Sequence, residues 1–395
     1  MNIVWTLLLL ALTLGNGTPA QEPAAQEESA VSIWPSIYQT ITANLAQGDS
    51  EHPILPTDLK GSLQQDAPKV KGIYVTAYSA GGSRMNQLVE LIDQTELNAM
   101  VIDIKDDLGY ITYKTENPTL IELGKPQPFI RDIQALMARL EKHDIYPIAR
   151  IVVFKDTILA EKHPEYSFRK QDGSVWSNNN GDKFVNPYSP EVRDYNIELA
   201  KEAASLGFKE IQFDYVRFPE GFEKRADSLK YTSDNTSRVD AVSEFVKIAK
   251  EELEPLGVRI SVDIFGYAAS VPAAEGIGQD FVKISDHVDV ICPMIYPSHY
   301  TTGWFGSKVP DKTPYQTIKG AVQDTQTKLE ELGEEQPIIR PWIQDFTASW
   351  LGKGNYVKYG KHEIEEQIRA LRDMQVEEFL LWNATNRYTP GVSYE

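Results

Sequence analysis

Three residue types are scarce in this sequence, and each shortage excludes a class of site. Cys292 is the only cysteine in 395 residues, so no disulfide can form within the chain. Six histidines occur, none in an HxH or HExxH spacing, so we expect neither a zinc site nor another bound cofactor. Lysine and arginine total 39 against 57 acidic residues, and the net charge of −18 argues against nucleic-acid binding.

Long apolar runs are also missing, apart from one near the N-terminus. Val4–Leu14 is almost wholly apolar but short for a bilayer span, and Thr-Pro-Ala at 18–20 resembles a cleavage site. We therefore predict a signal peptide at 1–20, secretion or retention in the cell envelope, and no membrane insertion after cleavage. An uncleaved anchor is the alternative. Residues 21–66 are predicted to be an acidic low-complexity tether plus a short helix, Ile33–Ala46.

A β-rich run followed by a helical stretch recurs along the rest of the chain. Eight runs are predicted as strands: Gly72–Ala77, Ala99–Ile104, Pro147–Phe154, Glu210–Val216, Arg259–Phe265, Val288–Ile295, Pro337–Ile343 and Glu378–Asn383. Periodicity predicts helices at Phe129–His143, Ser189–Leu206, Arg238–Leu256, Pro314–Leu332 and Lys361–Met374.

Eight alternating units in this length predict one α/β domain at 67–395, a monomeric (β/α)₈ TIM barrel. Little chain follows the last strand, so the final helix is expected to be reduced or missing, with Ile33–Ala46 packed in its place. A doubly wound sheet is the alternative. It is disfavoured because no glycine-rich phosphate loop follows the first strand.

Side-chain alternation divides each predicted strand into an apolar face and a polar face. In a barrel the apolar face packs under the helices and the other face fills the interior. The predicted interior polar residues are Asp103, Lys105, Arg150, Gln212, Asp214, Ser261, Asp263, Arg340 and Gln344. Burying so many polar groups is costly unless they pair. One interpretation is a structural ion network in which Asp214 and Asp263 merely pair with Arg150 and Arg340.

The other interpretation is catalytic, because these acids lie toward the strand ends where barrel enzymes keep their chemistry. Asp214 and Asp263 belong to neighbouring strands at similar heights, which brings their carboxyl groups within roughly 5–9 Å. Two carboxyl groups at this spacing suit glycoside cleavage: one stabilises or attacks the anomeric carbon and the other protonates the leaving oxygen. Arg150 or Lys105 would keep one acid ionised.

Aromatic side chains near the predicted strand ends suit the faces of sugar rings. The candidates are Tyr78, Trp176, Tyr188, Tyr296, Tyr300, Trp304, Trp342, Trp350 and Trp382. Trp176 is favoured because its surroundings are polar and loop-like, and Trp304 comes second. His299 is a further candidate for substrate contact. Asp106 and Asp107, after the second strand, are candidates for sugar hydroxyls or a divalent cation.

Several of these segments resemble a known bacterial family. Asn186-Pro187-Tyr188-Ser189-Pro190 and the run Gln212-Phe213-Asp214-Tyr215-Val216-Arg217-Phe218-Pro219 closely resemble the "putative glycosyl hydrolase domain" family, and the likeness spans Lys71 to Tyr388. The resemblance implies a glycoside-hydrolase-type barrel without fixing its substrate. Strand four lacks the glutamate of chitinase-type barrels, and Asp263 stands where amylase-type barrels carry glutamate. Glu220 is therefore the reserve candidate for the proton donor.

The leading hypothesis is an exported glycoside hydrolase that cleaves a polysaccharide, with Asp214 and Asp263 as catalytic residues. The residues expected to bind substrate are Asp103, Lys105, Arg150, Trp176, Arg217, Tyr296, His299, Trp342 and Trp382, of which Arg150, Arg217 and Lys105 would set the charges of the two acids. The alternative is a non-catalytic carbohydrate-binding or cell-wall protein on a glycosidase fold. A third hypothesis is a cation-dependent hydrolase using Asp103, Asp106 and Asp214.

Overall fold

The computed structural model describes residues 67–233 and 235–395. The predicted signal peptide at 1–20, the tether at 21–66 and the helix Ile33–Ala46 lie outside the described residues. Within the described ranges, no helix combines the length and the apolar character needed to cross a membrane.

Eight parallel strand positions close into a barrel, which confirms the predicted TIM-barrel fold. The strands are β1 (Lys71–Val75), β2 (Ala99–Lys105), β3 (Tyr110–Tyr113), β4 (Lys125–Ile130), β5 (Tyr146–Val152), β6 (Glu210–Asp214), β7 (Arg259–Phe265), β8 (Val290–Met294), β9 (Ile338–Ile339), β10 (Trp342–Gln344) and β11 (Phe379–Trp382). Their order around the barrel is β1, β2, β5, β6, β7, β8, β10 and β11, and β11 pairs with β1 again. The predicted seventh strand is split into β9 and β10, because Pro341 has no N–H for the ladder.

Helices connect the barrel strands and cover their outer surface. They are α1 (Ala77–Ala80), α2 (Arg84–Asp93), α3 (Pro118–Leu123), α4 (Ile133–Lys142), α5 (Thr157–Lys162), α6 (Pro190–Ser205), α7 (Arg238–Leu253), α8 (Phe281–Ser285), α9 (Pro314–Leu329) and α10 (Lys361–Asp373). In the described chain no helix follows β11, as expected for a barrel with a missing final helix.

The insertion after β2 was not predicted. β3 runs antiparallel to β2 and pairs with β4 in parallel. Helix α4 therefore begins at Ile133 rather than at Phe129, since Phe129 belongs to β4 and the Asp132 side chain caps the first turn by accepting the Ala135 N–H.

Two apolar clusters lie on opposite sides of the barrel wall, as side-chain alternation predicts. Ile102, Ile211 and Val262 belong to the larger cluster under the helices, whereas Val101 and Cys292 belong to the smaller cluster that includes Trp342. The register places neighbouring polar residues at the same height around the interior: Asp103 beside Arg150, Arg150 beside Gln212, and Gln212 beside Ser261.

Lys105 is the exception, and its predicted place in the interior is wrong. The pairing of β2 with β5 shifts by one residue between Asp103 and Lys105, so Lys105 lies beside the outward-facing Ile151. Its ammonium group is fully buried in an ion pair with Asp156 at 2.7 Å and donates to Asn196 of α6 at 2.8 Å. Lys105 therefore joins β2 to the helical layer, where substrate cannot reach it.

A buried ion triad occupies the amino-terminal end of the barrel interior. The Arg340 guanidinium donates to Glu210 and to Glu378, both at 2.7 Å, and Arg340 and Glu210 are completely buried. The structural interpretation of the sequence predicted that Asp263 pairs with Arg340, and this pairing is wrong. The interior instead contains one ion network at its base and a second one, built around Arg150, at the opposite end.

We predict that Arg340→Met destabilises the fold by about 3–5 kcal/mol, because Glu210 then remains buried without a counter-charge. Urea unfolding followed by circular dichroism measures this change. Arg131→Met alters an exposed arginine and serves as the control. A loss for Arg340→Met no larger than that of the control would show that the triad does not hold the base together.

Candidate active site

Asp214 ends β6 at a sharp change of backbone direction. The next residue, Tyr215, has φ = 53°, a left-handed conformation that costs free energy for an aromatic residue. The Tyr215 N–H donates to Oδ1 of Asp214 at 2.6 Å. The turn thus fixes the Asp214 carboxyl group at the carboxyl end of its strand.

Arg150, from the neighbouring strand β5, holds the other oxygen of Asp214. Its Nε and Nη2 groups donate to Oδ2 of Asp214 at 3.0 and 2.6 Å. The same guanidinium donates to Asp103 at 2.7 Å and to Asp107 at 2.9 Å. Because Arg150 is almost completely buried, its positive charge is little screened by water, which strengthens its hydrogen bonds to the carboxyl group of Asp214.

Asp263 lies beside Asp214 in a very different environment. The pairing of Phe213 with Val262 puts the two acids next to each other on adjacent strands. Only 2% of Asp263 is exposed, and the Trp342 indole N–H donates to its Oδ1 at 2.6 Å. Burial, with the negative charge of Asp214, raises the pKa of Asp263 well above its usual range, and Trp342 and Arg150 oppose this only in part. Its environment therefore favours the protonated form of Asp263.

Asp103 is a third acid of this group, on the far side of Arg150. Burial raises the pKa of Asp103 to about 7, although the charge of Arg150 opposes the shift. The Tyr74 hydroxyl donates to Oδ2 of Asp103 at 2.6 Å. One guanidinium thus faces three carboxyl groups, and the pKa of Asp103 is raised whereas that of Asp107 is lowered by the charges of Arg150 and Lys155.

Aromatic rings enclose the acids from the β1, β8, β10 and β11 sides. Trp382 stacks on Tyr74 with ring centroids 4.1 Å apart and packs edge-on against Trp342 at 5.5 Å. Tyr296 lies 6.5 Å from Trp382. The Arg150 guanidinium lies 5.5–5.6 Å from the rings of Tyr74 and Trp382. The acids thus occupy a largely apolar enclosure, in which charge interactions are strong.

Seven of the predicted site residues come together here. They are Asp103, Arg150, Asp214, Asp263, Tyr296, Trp342 and Trp382. His299 lies at the edge of this group: it is exposed, its ring centroid is 5.1 Å from that of Tyr296, and its Nδ1 is 3.0 Å from the Ser298 hydroxyl. Tyr74 was missed by sequence reasoning, although its inward position on β1 follows from the same alternation.

Trp176 and Arg217 do not join the acids. Trp176 is buried in the apolar cluster under the loops, which removes the face expected to stack on sugar. Arg217 packs its guanidinium against Phe265 at 4.6 Å and Tyr215 at 4.9 Å, and donates to the Phe218 carbonyl at 3.1 Å. Arg217 therefore makes none of its predicted contacts with Asp214 or Asp263. The loop-like sequence around Trp176 did not reveal that its side chain packs into the apolar cluster, with the Arg225 guanidinium 5.9 Å from its ring.

Glu220 and Asp106 also lie apart from the acid pair. Glu220 is exposed and lines an open cavity of about 460 Å³ with Glu223 and Tyr267. The Asp106 carboxylate accepts the backbone N–H groups of Leu108, Gly109 and Tyr110 and so closes its own turn. In the chain that the structure describes, no three His, Cys, Asp or Glu side chains are grouped to hold a metal ion.

A closed parallel barrel with paired acids at the carboxyl ends of adjacent strands defines a barrel enzyme of the glycoside hydrolase class. Residues 72–388 match the sequence profile described as "Putative glycosyl hydrolase domain", and the chain belongs to that family. No curated protein matches the chain.

Two solved structures are similar to this chain. The glycoside hydrolase domain of PgaB (BpsB) from Bordetella bronchiseptica is 11% identical with a TM-score of 0.54, over 81% of this chain and 95% of that one. A hypothetical protein from Ruminiclostridium thermocellum is 34% identical with a TM-score of 0.44, over 48% of this chain and 96% of that one. The first of these likenesses supports the barrel fold and carries no information on substrate.

We predict that Asp103 makes the stability of the protein fall as pH rises from about 4 to 7. The native state holds the Asp103 proton to a pKa of about 7, whereas the unfolded chain releases it near 4, so the native state binds more protons in this window. The change is at most about 4 kcal/mol. Denaturant unfolding at several pH values measures it for the parent and for Asp103→Asn. An identical pH dependence in the two proteins would contradict this assignment.

Proposed function

We propose that the protein is an exported glycoside hydrolase that cleaves a polysaccharide with Asp214 and Asp263. The observation that carries the proposal is the opposed environment of two neighbouring acids. Asp214 is bound by a buried guanidinium, and Asp263 is buried against an indole N–H beside that negative charge. Such a pair supplies one carboxylate and one carboxylic acid at the same pH.

In this mechanism Asp263 gives its proton to the glycosidic oxygen as the bond to the anomeric carbon breaks. Asp214 stabilises the positive charge that develops at that carbon, or attacks it directly. Water then completes the hydrolysis, and Asp263 takes up a proton again. Arg150 binds Asp214 throughout, so it acts as a positioning residue. Trp342 occupies Oδ1 of Asp263, which leaves Oδ2 for the transferred proton.

Three observations support a polysaccharide outside the cell as the substrate. The acids are enclosed by Tyr74, Tyr296 and Trp382, and of these rings the partly exposed Trp382 offers an apolar face to sugars. The apolar run Val4–Leu14 and the Thr-Pro-Ala at 18–20 support export. The net charge of −18 favours neutral or amino-sugar polymers over anionic ones.

We predict that Asp214→Asn lowers hydrolysis by more than about 10³-fold and leaves the fold intact, because the amide cannot stabilise the developing cation. The assay is product release from amino-sugar polymers, α-glucans and peptidoglycan, with circular dichroism to check folding. Asp286→Asn, at an exposed aspartate before β8, is the matched control.

Full activity of Asp214→Asn would contradict the mechanism. Polymer binding by the parent without product from any substrate would instead favour the non-catalytic carbohydrate-binding alternative.

The raised pKa of Asp263 predicts a loss of activity on the alkaline side. A general acid works only while protonated, so kcat/KM falls as the pH rises through the pKa of Asp263. Asp263→Asn should cost about 10²–10⁴-fold and abolish the alkaline decline. An unchanged alkaline decline in Asp263→Asn would assign the proton donor to another residue, and Glu220→Gln would be the next variant to measure.

A further inference from the structure

We propose that Trp350 and Phe346 form a sugar-binding subsite at the edge of the active site, which holds a ring of the polysaccharide several residues from the bond that is cut. The inference rests on the proposed function and adds a place where the polymer continues beyond the acids. Trp350 is 47% exposed, an unusual state for the largest aromatic side chain. Its ring is stacked at 21° on Phe346, with centroids 5.7 Å apart.

A continuous series of aromatic contacts joins this pair to the acids. Phe346 lies 5.8 Å from Tyr296, and Tyr296 lies 6.5 Å from Trp382. Trp382 packs on Trp342, whose indole donates to Asp263. The series therefore leads from the proposed proton donor to solvent, and Trp350 is its exposed end. Continuity with the acids distinguishes Trp350 from the other exposed apolar side chains, such as Leu256 at the opposite end of the barrel.

The loop that carries Trp350 is fixed before any ligand arrives. Gln344 donates to the Phe346 carbonyl and to Asp311, both at 3.0 Å. The other oxygen of Asp311 accepts the Val357 N–H, also at 3.0 Å, and Tyr359 N–H donates to Thr347. Both ends of the loop are thus tied to buried residues. A ring held in place in this way binds without the cost of ordering a mobile loop.

A pyranose ring is the ligand that best fits this surface. Its flat face presents C–H groups, which are apolar and slightly positive, and an indole face carries the complementary negative quadrupole. The contact needs no charged partner, in agreement with a neutral or amino-sugar polymer. A subsite outside the enclosure of the acids would hold the polymer at a point beyond the bond that is cut.

The test compares Trp350→Ala, Trp350→Phe and Leu256→Ala, a 39%-exposed control outside the aromatic series. The probes are glycol chitosan, amylopectin and solubilised peptidoglycan, each with a disaccharide or trisaccharide fragment of the same polymer. KM for the polymer should rise roughly tenfold in Trp350→Ala, the equivalent of about 1.4 kcal/mol, with kcat almost unchanged. Trp350→Phe should recover most of the loss. The short fragment, which does not reach Trp350, should be cleaved equally by all variants.

Binding is measured separately by retardation in gels that contain each polymer, so that failure of this inference and failure of the proposed function can be told apart. Normal retardation and normal polymer KM in Trp350→Ala would overturn the subsite while leaving hydrolysis by Asp214 in place. Retardation that depends on Trp350 without any hydrolysis would support the subsite and contradict the proposed function. No retardation and no hydrolysis by the parent would overturn both.

The alternative ligand of the Trp350 surface is a second protein. Sedimentation of the parent and of Trp350→Ala tests for it. A change in oligomeric state with unchanged polymer binding would mean that Trp350 is a protein contact, and would overturn the subsite.

Discussion

The buried cation of Arg150 is the interaction on which the candidate active site depends. A guanidinium inside a barrel is costly to bury without counter-charges, and here Asp103, Asp107 and Asp214 supply them. Burial raises the pKa of Asp103 and of the neighbouring Asp263, and the negative charges of Asp107 and Asp214 add to the shifts of Asp103 and Asp263 respectively. The protonated acid that the proposed reaction needs thus depends on burial and on the acids that neutralise Arg150.

The second ion network lies at the base of the barrel. Because it stabilises that end, the network around Arg150 is available for catalysis. Arg340 is neutralised by Glu210 and Glu378, so the interior is filled and held at its amino-terminal end without Asp214 or Asp263. The two ends of the same interior therefore carry different tasks. This division agrees with the general placement of function at the carboxyl ends of barrel strands.

Most of the fold followed from the alternation of β-rich runs and helical stretches, and alternation within strands gave Asp103, Arg150, Asp214 and Asp263 a common interior. The errors have local causes. One extra residue in β2 turned Lys105 outward, and the packing of its loop into the large apolar cluster buried Trp176. Neither a strand irregularity nor the packing of a loop leaves a periodic signal, so neither could be predicted from the sequence.

The proposed reaction requires Asp263 to hold its proton because it is buried beside Asp214. Carbon NMR of protein labelled at the aspartate carboxyl carbons tests this requirement, in an Asp103→Asn background that removes the raised pKa of the other acid near Arg150. We expect a carboxyl resonance that titrates far above the usual aspartate range, disappears in Asp263→Asn and titrates at lower pH in Asp214→Asn. A resonance of Asp263 that titrates near pH 4 in the parent would contradict it.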